Sequence, residues 1–185
     1  MPETWPGEAG FAASGTCLTA SADGRALFAA TGGVAGRPGR VFRNGGDDDG
    51  ARRRWEAFNT TIPGAAGGGV FSVQFRSADG AGVAVGGDYT RPGAADGTAS
   101  FSTDGGRVWQ ASVVFPGGYR SAVSWVPGRC GVAVAVGPTG SDVTYDGGRT
   151  WKTFDNGSFD AVQCVPGGVC WASGQQGRAA RLLLS

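Results

Sequence analysis

The chain contains no histidine. That absence removes the commonest general base, the Ser–His and Cys–His nucleophilic pairs and every histidine-containing metal site. The only glutamates are Glu3, Glu8 and Glu56, and the only lysine is Lys152. Acid–base work would therefore fall on aspartate and tyrosine, and charge recognition on arginine. Cys17, Cys130, Cys164 and Cys170 lack Cys-x-x-Cys spacing, and a zinc site would need all four drawn from distant loops, so no metal is expected. Cys164 and Cys170 flank a Pro-Gly-Gly turn and face each other across two paired strands. Two buried thiols is the commoner arrangement, and a cross-strand disulfide is the alternative if the compartment oxidises. Asp47, Asp49, Gly50 and Glu56 fall at positions three, five, six and twelve of a calcium-loop spacing. Position one is Gly45, however, and Arg52, Arg53 and Arg54 crowd the ligands, so a solvated charged loop is expected. Glycine pairs here end strands and enter turns instead of opening a helix, so no nucleotide cofactor is expected.

The elements that carry these residues are bounded by composition. Glycine makes up 36 of 185 residues, and each glycine inside a helix costs about 1 kcal/mol relative to alanine, which argues against a helical bundle. Short strands joined by tight turns are the natural reading, and 41% apolar residues suffice for one core in one domain, 1–185. A net charge of +1 makes no case for nucleic acid. No apolar run approaches a membrane span, and Met1 to Gly10 shows neither a basic nor an apolar leader region, so no signal peptide is expected in this stretch.

An internal repeat decides the fold class. Ser102 to Trp109 reads STDGGRVW, and Thr144 to Trp151 reads TYDGGRTW. Each copy lies between two short strands, where Asp-Gly-Gly marks a hairpin turn whose aspartate accepts backbone amide bonds. Upstream, Val70 to Phe75, Ser121 to Val126 and Asp160 to Val165 each begin a unit. Each is followed by an apolar strand ending in glycine, from Gly82, Gly131 and Val169, that reads as buried on both faces. A looser first unit takes FAASGTCLTA from Phe11 and ALFAATGG from Ala26 as strands, then Arg40 to Arg43, and ends in a degraded octapeptide at Trp55. Four-stranded units with a period of roughly 40 to 50 residues are the signature of propeller blades. The expected architecture is an all-β propeller, whole or partial, of about four blades at 11–64, 65–118, 119–157 and 158–185. The last lacks its fourth strand, and self-association could complete the ring.

The octapeptide resembles the Asp-box, or BNR repeat, of sialidase-like propellers, matching at Ser102, Asp104, Gly106 and Trp109 and again at Thr144, Asp146, Gly148 and Trp151. The longer pattern (AASGT at Ala12, AVGGDY at Ala84, GGYRSAV at Gly117, VAVGPTGSDV at Val134, and FDAV then CWASG near the end) is similar to the bacterial relatives of the photosystem II stability/assembly factor propellers. Those relatives are usually longer, with further N-terminal blades, and this sequence is similar to their C-terminal portion. The resemblance implies a rim position and a structural role for the Asp-box residues. It also implies a non-catalytic scaffold with a protein partner. The alternative is a carbohydrate-active propeller, a sialidase-like hydrolase or glycan binder. That chemistry needs a Tyr activated by a Glu, yet Glu56 is the only internal glutamate and the family's Phe-Arg-Ile-Pro motif is missing. Loops on the axial face contribute Arg37, Asp88, Tyr89, Arg91, Tyr119, Arg120, Asp142 and Asp160, and Tyr with Arg is the pairing enriched at binding hot spots. Arg120 is the leading candidate. Its counterparts Val70 and Phe159 are apolar, so the repeat does not require its charge, and it is expected to meet an acidic partner group or to pair with Asp160.

Overall fold

The structure is a computed structural model that describes residues 1–14, 16–21, 24–45, 54–76 and 80–184. It is all-β, with strands pairing antiparallel in chain order into four sheets. Sheet I holds β1 (Leu18–Ala20), β2 (Ala26–Ala30), β3 (Pro38–Gly45) and β4 (Trp55–Pro63). Sheet II holds β5 (Gly68–Phe75), β6 (Gly82–Asp88), β7 (Ala99–Ser102) and β8 (Gln110–Ala111). Sheet III holds β9 (Ala122–Trp125), β10 (Ala133–Gly137), β11 (Gly140–Thr144) and β12 (Lys152–Asp155). Sheet IV holds β13 (Ala161–Val165), β14 (Val169–Ser173) and β15 (Ala179–Leu183). The calcium-like spacing at Asp47, Asp49 and Gly50, and most of the degraded octapeptide before Trp55, lie outside the described residues.

Each sheet buries one face on the next, and three apolar clusters fill the interfaces. Phe28, Val41, Val70 and Trp109 lie between sheets I and II; Val83, Val85, Val123 and Trp151 between II and III; Val134, Val136, Phe159 and Val162 between III and IV. The register between sheets repeats through one backbone bond. Val70 N donates to Thr31 O at 3.2 Å, Arg120 N to Gly86 O at 3.0 Å and Phe159 N to Gly137 O at 3.2 Å. Hydroxyls add cross-sheet bonds from the first strands: Val123 N donates to Ser72 Oγ and Cys164 N to Ser124 Oγ, both at 3.0 Å. The opposite faces of the first and last sheets are open, with Leu18 and Leu27 exposed on one, and Val165, Trp171 and Leu183 on the other.

Several sequence expectations are corrected. FAASGTCLTA forms strand only at Leu18–Ala20, because Ala12–Ser14 make a 3-10 turn that folds the Phe11 ring onto Phe71. The strand expected after the first octapeptide pairs in its sheet only at Gln110–Ala111. Beyond it, Val113 N bonds to Arg149 O at 2.7 Å and Trp151 N to Val114 O at 3.1 Å, so the chain leaves sheet II to support the turn of sheet III. β6 and β10 are buried on both faces as expected, whereas β14 exposes Trp171, since only one side of sheet IV is covered. Cys164 pairs directly with Cys170, and the two are bonded as a disulfide, while Cys17 and Cys130 are free. The N-terminal segment is strapped to sheet I by Glu8, which accepts from the Arg40 guanidinium and from Thr31 Oγ1, with Trp5 stacked on Arg40.

Candidate functional site

The two octapeptide turns are built alike. Ser102 Oγ donates to Asp104 Oδ1 and accepts from Gly106 N at 2.9 Å, while Asp104 Oδ1 accepts from Arg107 N and Val108 N, both at 3.0 Å. Thr144 Oγ1 and Asp146 repeat this with Gly148 N and Thr150 N, each at 2.9 Å. The second glycine of each copy is required by both conformation and space. Gly106 has φ +86° and a Cβ there would sit 2.7 Å from the Phe75 ring, and Gly148 has φ +92° and would meet Val83 at 2.7 Å. Trp109 and Trp151 are buried, so these eight residues fasten each turn to the neighbouring sheet.

Burial by itself would raise the Asp104 and Asp146 carboxyls, but the amide and hydroxyl bonds outweigh it and hold both below the ordinary 3.8. A depressed folded value means that this stabilisation is complete above the unfolded value and is lost as pH falls through the folded one. The amides that Asp104 serves are exposed, so water can replace it, and Asp104→Ala is expected to cost about 1 kcal/mol. Urea unfolding at pH 7 and below the aspartate range checks this, because the wild-type advantage over the variant should shrink in acid.

Arg120 is not on a surface. Its side chain is 0% exposed, and Nε donates to Asp142 Oδ2 at 2.5 Å. Nη1 donates to Tyr119 O at 2.9 Å and to Thr139 Oγ1 at 3.0 Å. Asp142, expected in an exposed loop, lies inside β11 and also accepts from Gly117 N and Thr153 Oγ1. The expected Arg120–Asp160 pair is replaced by Arg120–Asp142: Arg120 precedes β9 and reaches β11 of its own sheet, while Ser121 Oγ donates to Asp160 O at 2.9 Å. Arg91 is exposed and pairs with Asp88 at 3.2 Å, and Asp88 also caps Thr90. Arg37 stacks over Trp5.

Three of the expected face residues do converge. Tyr89, Tyr119 and Asp160 line an open cleft of about 600 Å³ together with Phe11, Ser14, Phe71 and Ser121. Phe71 is its hub. Phe11 stacks on that ring at 3.9 Å between centroids, Tyr119 meets it edge-on at 4.7 Å, and Tyr89 does so at 6.3 Å. Burial pushes the Tyr119 phenol up to about 12, against a hydrogen bond from Ser14, and the Asp160 charge pushes it the same way as burial. The phenol stays protonated at neutral pH.

No protein-family model matches the chain, and no curated protein matches it. Phe11, Ser14, Phe71 and Ser121 were missed as site residues, although a signal existed. Phe71, Ser121 and Asp160 each follow the aligned position Val70, Arg120 or Phe159, so the cleft is lined by the residue one step beyond the one singled out. Among the described residues no helix is long and apolar enough to cross a membrane, and no group of three His, Cys, Asp or Glu could hold a metal ion.

Proposed function

We propose that the chain is part of a β-propeller of the BNR/Asp-box type, similar to the photosystem II stability/assembly factor propellers, and that it serves as a non-catalytic scaffold binding a protein at the Phe71 cleft. Three four-stranded sheets and one three-stranded sheet stacked in chain order support the propeller reading, as do two Ser/Thr-Asp-Gly-Gly-Trp turns that seat their tryptophans on the preceding sheet. The observation that carries the function is the cleft itself. Rigid aromatic rings with an exposed hydroxyphenyl edge, 55% exposed at Tyr89, and a carboxylate at the margin form the mixed apolar and polar surface that partners use as an anchor.

The alternative is a carbohydrate-active site, which would need a tyrosine activated by a glutamate. Glu56 lies in β4 opposite Arg43, and Glu8 is bound to Arg40, so neither serves Tyr89 or Tyr119. The test is a photo-crosslinking residue, p-benzoylphenylalanine, placed at Tyr89 and, as a remote control, at the exposed Val113. A discrete protein adduct at position 89 and none at 113, identified by mass spectrometry, is the expected outcome. Turnover of an aryl sialoside by the wild-type chain, or adducts equal at both positions, would defeat the scaffold reading.

A further inference from the structure

The expected face mixed Arg37, Arg91 and Arg120 with Asp88, Asp142 and Asp160. The fold withdraws the three arginines from the cleft. Arg120 is consumed by Asp142, Arg91 by Asp88, and Arg37 lies on Trp5. The residues that line the Phe71 cleft include no arginine and no lysine, and their one acidic side chain is Asp160. Asp160 is exposed, and its carboxylate has no hydrogen-bond or ion-pair partner among the described residues. Only its backbone is engaged, with N donating to Ser173 O at 2.8 Å and O accepting from Ser121 Oγ at 2.9 Å.

We propose that this cleft receives an arginine side chain from an extended segment of a protein partner, with the guanidinium bonded to Asp160 and its stem and plane laid against the exposed Tyr89 ring, over a floor backed by the buried Phe71 and Tyr119 rings. The inference rests on the reading of the cleft as a partner site and adds the chemistry of what enters it. An uncharged apolar group would cover the Asp160 carboxylate without pairing it, which costs more than it gains, and an anion would be repelled. A metal ion would find one carboxylate where it needs several oxygen ligands. A guanidinium answers both walls at once. Its planar fork matches a carboxylate, its flat face is attracted to aromatic rings within about 6 Å of a centroid, and its methylenes cover the apolar floor. Ammonium matches the charge but lacks the plane and the fork. The cavity of about 600 Å³ has room for such a side chain and its flanking backbone.

The test uses the whole chain and two probes of equal shape, N-acetyl-L-argininamide and its neutral counterpart N-acetyl-L-citrullinamide, titrated while the ring resonances of Tyr89 and Tyr119 are followed by NMR. The arginine probe is expected to shift both rings and to bind about tenfold tighter than the citrulline probe, with N-acetyl-L-lysinamide in between. In Asp160→Asn the arginine probe should fall to the citrulline affinity, and in Tyr89→Leu it should weaken by about threefold to tenfold. Both positions are exposed, so the variants should fold, and their unchanged amide spectra away from the cleft will document it. Equal affinity for the charged and neutral probes, or an arginine affinity unchanged by Asp160→Asn, overturns the proposal. If the crosslinked protein adduct at position 89 persists in Asp160→Asn while the probes do not discriminate, protein binding stands and the arginine inference falls. Charge-selective probe binding without any protein adduct separates the two the other way.

Discussion

Asp142→Ala is expected to lower the unfolding free energy by about 3 to 5 kcal/mol, the range for removing one member of a buried ion pair. Asp142 is fully buried and answers three donors: Arg120 Nε, Gly117 N at 3.1 Å and Thr153 Oγ1 at 2.6 Å. Truncation removes the acceptor from all three, although Gly117 and Thr153 are exposed and can turn to water. The guanidinium fares worst, because Arg120 Nη2 already has no hydrogen-bond partner among the described residues, and Tyr119 O and Thr139 Oγ1 are neutral acceptors. The pair is not itself a large source of stability, since both charges were taken out of water to make it. The double variant Arg120→Met with Asp142→Leu should therefore recover most of what Asp142→Ala loses. Urea unfolding of the three proteins decides the matter. A loss below about 1 kcal/mol for Asp142→Ala would mean that water reaches the guanidinium and that the pair is not buried as described. The pair also has a bearing on the cleft, because the same guanidinium holds the carbonyl of Tyr119.

What could be read from the sequence follows from how far each determinant reaches along the chain. The octapeptide turns were legible because Ser102, Asp104 and Gly106 satisfy one another within four residues, so spacing alone implies the geometry. The strand order within each sheet was legible for a similar reason, as short hairpins leave few alternatives. The alignment of Val70, Arg120 and Phe159 was also sound, since all three make the same backbone bond to the preceding sheet. The fate of the Arg120 charge was not, because its partner lies 22 positions away on a strand whose facing was unknown. Arg120 was thus placed on the surface from a correct alignment, whereas its side chain is buried. Phe11 failed differently. Its segment is rich in small residues that fit strand or turn equally, and only the Phe71 ring, brought alongside by stacking of sheets I and II, selects the turn.

Trp109→Ala is expected to cost about 3 to 5 kcal/mol, and the molecule contains its own comparison for why. Trp109 is buried between sheets I and II among Phe28, Ala30 and Val41, meets the Phe75 ring edge-on at 5.8 Å and donates from Nε1 to Gly106 O at 3.0 Å. Trp151 occupies the matching place between sheets II and III, among Val83, Val85 and Ala99. Strand register identifies the third such place, since Ala30 pairs with Val41, Val85 with Ala99 and Val136 with Ser141. No tryptophan fills it among the described residues, and Val134, Val136 and Ser141 instead border a cavity of about 270 Å³. Removing the Trp109 indole should open a comparable void in an interface that has no other aromatic at that position, which is the condition under which large-to-small changes cost most. The two tryptophans should part company on conservative substitution. Trp109→Phe loses the bond to Gly106 O, whereas Trp151 Nε1 is buried without a partner among the described residues, so Trp151→Phe sheds an unsatisfied donor. The Trp109→Phe loss should therefore exceed the Trp151→Phe loss by about 1 kcal/mol. Equal losses in paired urea titrations would show that the indole bond to Gly106 contributes nothing to holding the turn on its sheet.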